Sequence, residues 1–329
     1  NVQSDKGEYE AALKSYRESL GISREFARSN PQGYLSAVAA TLKNLGALQF
    51  GNDDYEDALK LYNEALAIYR KLATTTPQGG LPDVAGILNR LGNVQYKKNA
   101  FDDALKSYRE ALEIYRNLVK SNPQTYLAYV AAALNDLGLL RYKKEAFEDA
   151  LKFYNEALEI YRNLAGSSPQ AYLPDVAVTL NNLANLQYKK GEFETTLKSH
   201  REALEIYRNL ARSNPQTYLP YVAGTINNLG NLHYKKDEFE DAIRLYHEAL
   251  AVYRELDQSN PQSYLPDIAG TLTNLGNLHY KKNEFDDALK FYKEALEMRR
   301  KLAQSNPQGY LPDVAGMLNN LGNLQNKKN

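Results

Sequence analysis

Apolar residues in this chain return every three to four positions in two separate stretches per unit, and the units themselves return every 46 residues. Residues 220–258 show the pattern: Val222, Ile226, Leu229 and Leu232 stripe one segment, and Phe239, Ala242, Tyr246, Ala249 and Tyr253 stripe the next. Neither alternates with the period of two that a half-buried strand requires. Gly46, Gly92, Gly138, Gly230, Gly276 and Gly322 share one register, with Ala184 in the remaining place. Small residues also fall in two later columns, at Ala58, Ala104, Ala150, Thr196, Ala242 and Ala288, and at Ala65, Ala111, Ala157, Ala203, Ala249 and Ala295. Such columns predict notches where one helix approaches another closely.

The pattern predicts an all-α array of seven first helices and seven second helices. Residues 1–329 read as a single repeat array. Within it, 1–30 hold a leading unpaired second helix around Tyr9 to Ala27, 31–306 hold six full helix pairs, and 307–329 hold a trailing unpaired first helix around Pro312 to Gln325. Pro82-Asp83, Pro174-Asp175, Pro266-Asp267 and Pro312-Asp313 predict the starts of first helices, where a proline loses no hydrogen bond and an acid meets the positive end of the dipole. Lysine pairs such as Lys97-Lys98 and Lys235-Lys236 suit the opposite end. Pro31, Pro77, Pro123, Pro169, Pro215, Pro261 and Pro307 are expected to stop the second helices. The turn inside each pair falls at Gly7, Asp53, Asn99, Gly191, Asp237 and Asn283, all types that tolerate a left-handed backbone, and at Glu145, which fits it least. Exposed pairs such as Asp102 with Lys106 and Glu148 with Lys152 are expected to add a few tenths of a kcal/mol each at i,i+4 spacing.

Charge narrows the partners. Lysine plus arginine equals aspartate plus glutamate at 40 each, so no net field draws in nucleic acid or an anionic membrane. The absence of cysteine excludes a disulfide framework and thiolate metal sites. With no apolar run of membrane-spanning length, no signal peptide and no N-glycosylation motif, a cytoplasmic protein is expected. The start at Asn1, within a repeat, leads us to expect a piece of a longer chain.

Catalysis needs unlike residues that converge, whereas this chain repeats like residues. It has no phosphate loop, no Gly-x-Ser-x-Gly elbow and no His-Glu-x-x-His helix, so no enzyme, cofactor or metal site is expected. The four histidines (His200, His233, His247 and His279) lack partners at i+3 or i+4 and read as substitutions at packing or surface positions.

Asparagine carries more information. Asn89, Asn135, Asn181, Asn227 and Asn319 stand three positions before the small-residue register, with Lys43 and Thr273 departing. Asn93, Asn185, Asn231, Asn277 and Asn323 stand one position after it, with Ala47 and Leu139 departing. The two columns are i and i+4 and share one helix face, which Tyr96, Tyr142, Tyr188, Tyr234 and Tyr280 extend by a turn, followed by lysines such as Lys235. Asparagine is a poor helix former, so its recurrence in mid-helix asks for compensation. A side-chain amide can pair with both the N–H and the C=O of an extended peptide, while tyrosine offers flat contacts and lysine offers charge. The competing reading is that these amides bond to neighbouring repeats, or were copied whenever the unit duplicated. Asn182, Asn228, Asn274 and Asn320 lie one residue further on and read as structural. The charged or apolar departures Lys43, Arg90, Asp136, Leu139 and Thr273 are candidates for setting the register of a ligand.

Leu229-Gly230 followed by Phe239, Ala242, Tyr246 and Ala249 resembles the tetratricopeptide repeat signature, and the Leu-Asn-Asn-Leu-Gly-Asn-Leu run is similar to the long-helix variants of kinesin light chains and bacterial arrays. The chain departs from the signature by placing Leu42, Leu88, Leu134, Leu180, Ile226, Leu272 and Leu318 where tryptophan is preferred, and by a unit longer than the usual ~34 residues. The resemblance implies a right-handed superhelical solenoid of antiparallel helix pairs with first helices inside. It also implies a concave groove where an asparagine ladder holds peptide backbone. On this reading the site comprises Asn89, Asn93, Tyr96, Asn135, Tyr142, Asn181, Asn185, Tyr188, Asn227, Asn231, Tyr234, Lys235, Asn277 and Tyr280. The expected function is a protein–protein interaction scaffold that binds an extended peptide or partner segment. Two alternatives stand beside it: a recognition domain controlling a linked effector in a larger protein, and a repeat that self-associates head to tail through its unpaired terminal helices. About eight ladder bonds at ~1 kcal/mol net each barely exceed the ~4–15 kcal/mol cost of immobilising a partner, so micromolar affinity is expected.

Overall fold

The computed structural model describes residues 2–328, and every regular element among them is helical. In chain order these are α1 (Val2–Ser29), α2 (Pro31–Gly51), α3 (Tyr55–Thr75), α4 (Pro77–Lys97), α5 (Phe101–Val119), α6 (Pro123–Lys143), α7 (Phe147–Ser167), α8 (Pro169–Lys189), α9 (Phe193–Ser213), α10 (Pro215–Lys235), α11 (Phe239–Ser259), α12 (Leu265–Lys281), α13 (Phe285–Ser305) and α14 (Pro307–Lys328). They fall into two compact units, Asn1–Asn163 and Leu164–Asn329, whose boundary lies within α7. In the first unit α1 to α6 pack consecutively, each on the next, and in the second α8 to α14 do the same. Each unit is thus a stack of antiparallel helix pairs.

The turn inside each pair has a single design. After α2, Asp53 takes φ 60° while its N–H donates to Phe50 O, and the Asp54 N–H donates to Gln49 O at 2.9 Å, which closes the helix in a Schellman motif. Asn99, Glu145, Gly191, Asp237 and Asn283 repeat it with φ between 58° and 77°. Glu145 adopts the conformation despite its side chain. Gly7 does not, because α1 runs straight through it.

The prolines after the second helices stop them as expected, but Pro82, Pro174 and Pro312 do not open the first helices. First helices begin at the proline that follows the preceding second helix, and Pro82, Pro174, Pro220 and Pro312 lie within the helix. A proline on the second turn forfeits one backbone hydrogen bond, but Pro31, Pro123 and Pro215 at the start forfeit none, and Asn30, Asn122 and Asn214 cap those starts by accepting from Gly33, Thr125 and Thr217 N–H. α12 is the exception and begins at Leu265, beside Pro266. There Asp257, where other repeats carry alanine or valine, accepts from the Tyr264 N–H at 3.2 Å, and Gln262 turns to φ 73°.

The core repeats with the sequence. Ala58, Ala65, Ala104, Ala111, Ala242 and Ala249 are fully buried. A Cβ placed on Gly46, Gly92, Gly138, Gly230 or Gly276 would lie 2.4–2.6 Å from the ring of Tyr62, Tyr108, Tyr154, Tyr246 or Tyr292, so the missing side chain is what admits each tyrosine. The repeat with Ala184 in the glycine place carries His200 in the tyrosine place, a smaller ring facing the added methyl. Between repeats, Arg70 pairs with Glu110 at 2.6 Å and Arg208 with Glu248 at 2.7 Å, while Asp102 binds Lys144 at 2.6 Å and not Lys106, whose partner is Asp103. These exposed pairs each contribute little.

Candidate functional site

The two asparagine columns lie half-buried on the first helices, except for the exposed Asn319 and Asn323 on α14, and the structure gives most of them partners. Packing the glycine against the tyrosine ring brings the phenol to the next turn of the first helix. Tyr108 OH donates to Asn93 Oδ1 at 2.6 Å, Tyr246 OH to Asn231 Oδ1 at 2.8 Å and Tyr292 OH to Asn277 Oδ1 at 2.7 Å. Burial raises all three phenols, Tyr292 to about 12, so they remain protonated donors and the asparagine carbonyl is the fixed end of each amide. The NH2 of Asn93, Asn231 and Asn277 makes no hydrogen bond among the described residues.

The His200 repeat is wired differently. His200 is buried and its pKa is lowered to about 4 by desolvation, so the ring is neutral. Its Nδ1 lies 2.8 Å from Asn181 Oδ1, the Asn181 NH2 donates to Thr225 Oγ1 at 2.9 Å, and the Thr225 hydroxyl donates to Tyr221 O at 2.8 Å. Read back along this chain, the proton sits on Nδ1. With no phenol in reach, Asn185 keeps both ends of its amide uncommitted.

The first column touches the next repeat. Asn274 Nδ2 donates to Asn227 Oδ1 at 3.3 Å, and Asn89 Nδ2 approaches Asp136 Oδ2 at 3.5 Å in the equivalent place. Asn89 Oδ1 is buried without a partner. Asn135 is half-buried on α6. The tyrosine column is tied to the turns: Tyr96, Tyr142, Tyr188, Tyr234 and Tyr280 pack against Phe101, Phe147, Phe193, Phe239 and Phe285 with ring centroids 5.8–6.3 Å apart. Lys281 covers Tyr234 at 5.1 Å from its centroid, while Lys235 is exposed.

In the first unit this face opens into a cavity of about 360 Å³ lined by Lys43, Asp83, Gly86, Arg90, Tyr115, Thr125, Tyr126 and Tyr129. Lys43 lies 4.0 Å from Asp83, and Tyr129, half exposed, stacks on Tyr115 at 5.2 Å. Lys43 and Arg90 stand out in the sequence as departures from the amide columns. Asp83, Tyr126 and Tyr129 give no such signal, since aspartate or tyrosine recurs at the place of Asp83 and Tyr129, and tyrosine at that of Tyr126, in most repeats. A larger hollow, about 530 Å³, lies among Arg109, Leu112, Arg116 and Phe153 on the second helices, where Arg116 already pairs with Glu156. The histidines do acquire acidic neighbours through the turns: His233 Nδ1 lies 2.6 Å from Glu238 and His279 Nδ1 2.6 Å from Glu284. Ligand atoms of His279, Glu284 and Asp287 lie within 4.8 Å of one another, but Lys282 already pairs with Glu284 at 3.1 Å, which opposes a cation there.

An all-helical stack with Schellman turns, glycine–tyrosine locks and one polar face per first helix defines a helical-repeat protein. Tetratricopeptide repeat models match residues 1–71, 83–163 and 221–301, with others over 43–118 and 176–211, and the chain belongs to the tetratricopeptide repeat family. Among solved structures, BtubC (BKLC) from P. vanneervenii is 25% identical over 76% of this chain and 92% of its own, with a TM-score of 0.61. The apo form of RapI is 15% identical, covers 92% of this chain and 96% of its own, and has a TM-score of 0.64. No curated protein matches the sequence. Members of this family serve as protein-interaction scaffolds, and no helix of the described residues is long and apolar enough to cross a membrane.

Proposed function

We propose that the chain binds an extended segment of a partner protein along the first-helix faces of its units. The observation that carries this reading is the state of Asn93, Asn231 and Asn277: each carbonyl is held by a buried phenol, so each NH2 is oriented and has no protein acceptor. Fixed donors within one unit, such as Asn231 and Asn277 on adjacent first helices, form a row that suits the carbonyl groups of a peptide backbone. Packing therefore uses one end of the amide and binding the other, and the two readings of the asparagine column are compatible. The face offers fewer bonds than a full two-ended ladder, which keeps the expected affinity micromolar. Asn185, Lys235 and the exposed parts of the tyrosines add contacts on the same face.

The test separates the two ends. Asn231→Asp and Asn277→Asp together keep an oxygen for Tyr246 and Tyr292 but remove the NH2 donors. Peptides selected from a random display library on the parent are expected to lose at least tenfold in affinity on this double variant while its helical circular dichroism is unchanged. Peptides that bind both forms equally would refute the donor row.

A further inference from the structure

The contact between the first asparagine column of one repeat and the place one residue beyond that column in the next repeat has three versions within the units. In the second unit it is neutral, Asn274 donating to Asn227. Between α2 and α4 the same two places hold Lys43 and Arg90, both lining one cavity. Between α4 and α6 they hold Asn89 and Asp136, 3.5 Å apart.

The Asn89–Asp136 version lacks donors. Asn89 Oδ1 is buried with no partner, and the Asp136 carboxylate has only the long contact from the Asn89 NH2 and no cation. Asp136 is half-buried, and the phenols of Tyr108 and Tyr154 stand near it, Tyr108 already committed to Asn93. When the carboxyl is ionised, these two adjacent acceptors share only the long Asn89 contact, an arrangement that gains from further N–H donors. We propose that this place in the first unit receives a basic side chain, arginine or lysine, of the bound segment. Its N–H groups would bridge the Asp136 carboxylate and Asn89 Oδ1 in one charge-assisted contact. The proposal rests on the peptide-binding reading above and specifies its partner: a segment with a basic residue at one fixed position.

The neighbouring contact fixes the register. One repeat toward α2, Lys43 and Arg90 present two cations, of which only Lys43 approaches a carboxylate, at 4.0 Å. A basic side chain shifted by one repeat toward α2 would meet like charge. Adjacent helices lie about 8–10 Å apart, which an extended chain spans in about three residues. An acidic residue about three positions from the basic one would then meet Lys43 and Arg90.

The test selects binders from a random peptide display library on the parent chain and measures each on Asp136→Asn, which carries the residue found at 182, 228, 274 and 320 and so suits the fold. The expected result is an arginine or lysine fixed at one position, a loss of tenfold or more on Asp136→Asn, and no further loss when that residue is also made norleucine. Binders without a fixed basic residue, or indifferent to Asp136→Asn, would overturn the proposal and leave the donor row standing. Binders that lose affinity on the Asn231→Asp and Asn277→Asp variant alone would do the same. Enrichment of nothing would sink both readings together.

Discussion

Asp136 offers a sharp test of how the first unit is held together, independent of any ligand. Burial pushes its carboxyl from 3.8 up to about 7. In the unfolded chain it ionises near 3.8, so between about pH 4 and 7 the folded state holds the extra proton, and stability falls as pH rises through that window and stays low above it. At about 1.4 kcal/mol per tenfold change in proton affinity, the ceiling is about 4 kcal/mol. The Asn89 NH2 and the solvent on the open face soften it, leaving about 1–2 kcal/mol for measurement. Asp136→Asn removes the ionisation and supplies an NH2 for Asn89 Oδ1, worth about another 1 kcal/mol. The assay is urea unfolding followed by circular dichroism at pH 5, 7 and 8.5, for parent and variant. The variant is expected to be more stable at pH 7 and 8.5, with the advantage shrinking toward pH 5. Other carboxylates titrate alike in both proteins, so the difference between them isolates this one. An advantage that is absent at pH 8.5, or equal at pH 5, would refute the reasoning.

Gly230→Ala should destabilise by about 1–3 kcal/mol, because its Cβ would sit 2.6 Å from the Tyr246 ring, and adding Tyr246→His should recover part of the loss, as the native Ala184–His200 pair does; urea midpoints in a double-mutant cycle read this. His200, lowered to about 4 against 6.5 when unfolded, contributes stability that is complete above pH 6.5 and is lost as pH falls toward 4; its ring carbon resonances in NMR should show no titration above about pH 5. Asp257→Ala removes the acceptor for the Tyr264 N–H and should let α12 extend back to Pro261, seen as slowed amide exchange at Leu265 and Asp267, which gain acceptors one turn back.

Much of this fold was legible because a helix stripe repeated without insertion leaves few alternatives. The turns were legible too, since Asp, Asn and Gly declare a left-handed backbone. The helix starts were not: Pro220 and Pro215 are both acceptable openings of α10, and only the Asn214 cap and the lengthened second helix place the start at Pro215. The candidate site was readable as a face but not as bonds. An asparagine column does not reveal which end of each amide the packing occupies, because that depends on how far the Tyr246 phenol reaches once Gly230 admits its ring. The joint change to Ala184 and His200 was the one sequence sign of that contact. Asp136 stood out as a departure, yet its missing donors follow from Asn89 lying in the repeat before, 47 residues away.

The shortened start of α12 has a consequence for how the molecule can be altered. Five of the joints from a second helix to the next first helix are a single residue, Asn30, Thr76, Ser168, Asn214 or Asn306, so an added residue there would rotate everything downstream. Between α11 and α12 the chain instead crosses residues 260–264 outside any helix. This is where the second unit holds spare length, and so where an inserted domain, a new pair of termini or a protease cut would leave the flanking helices in register.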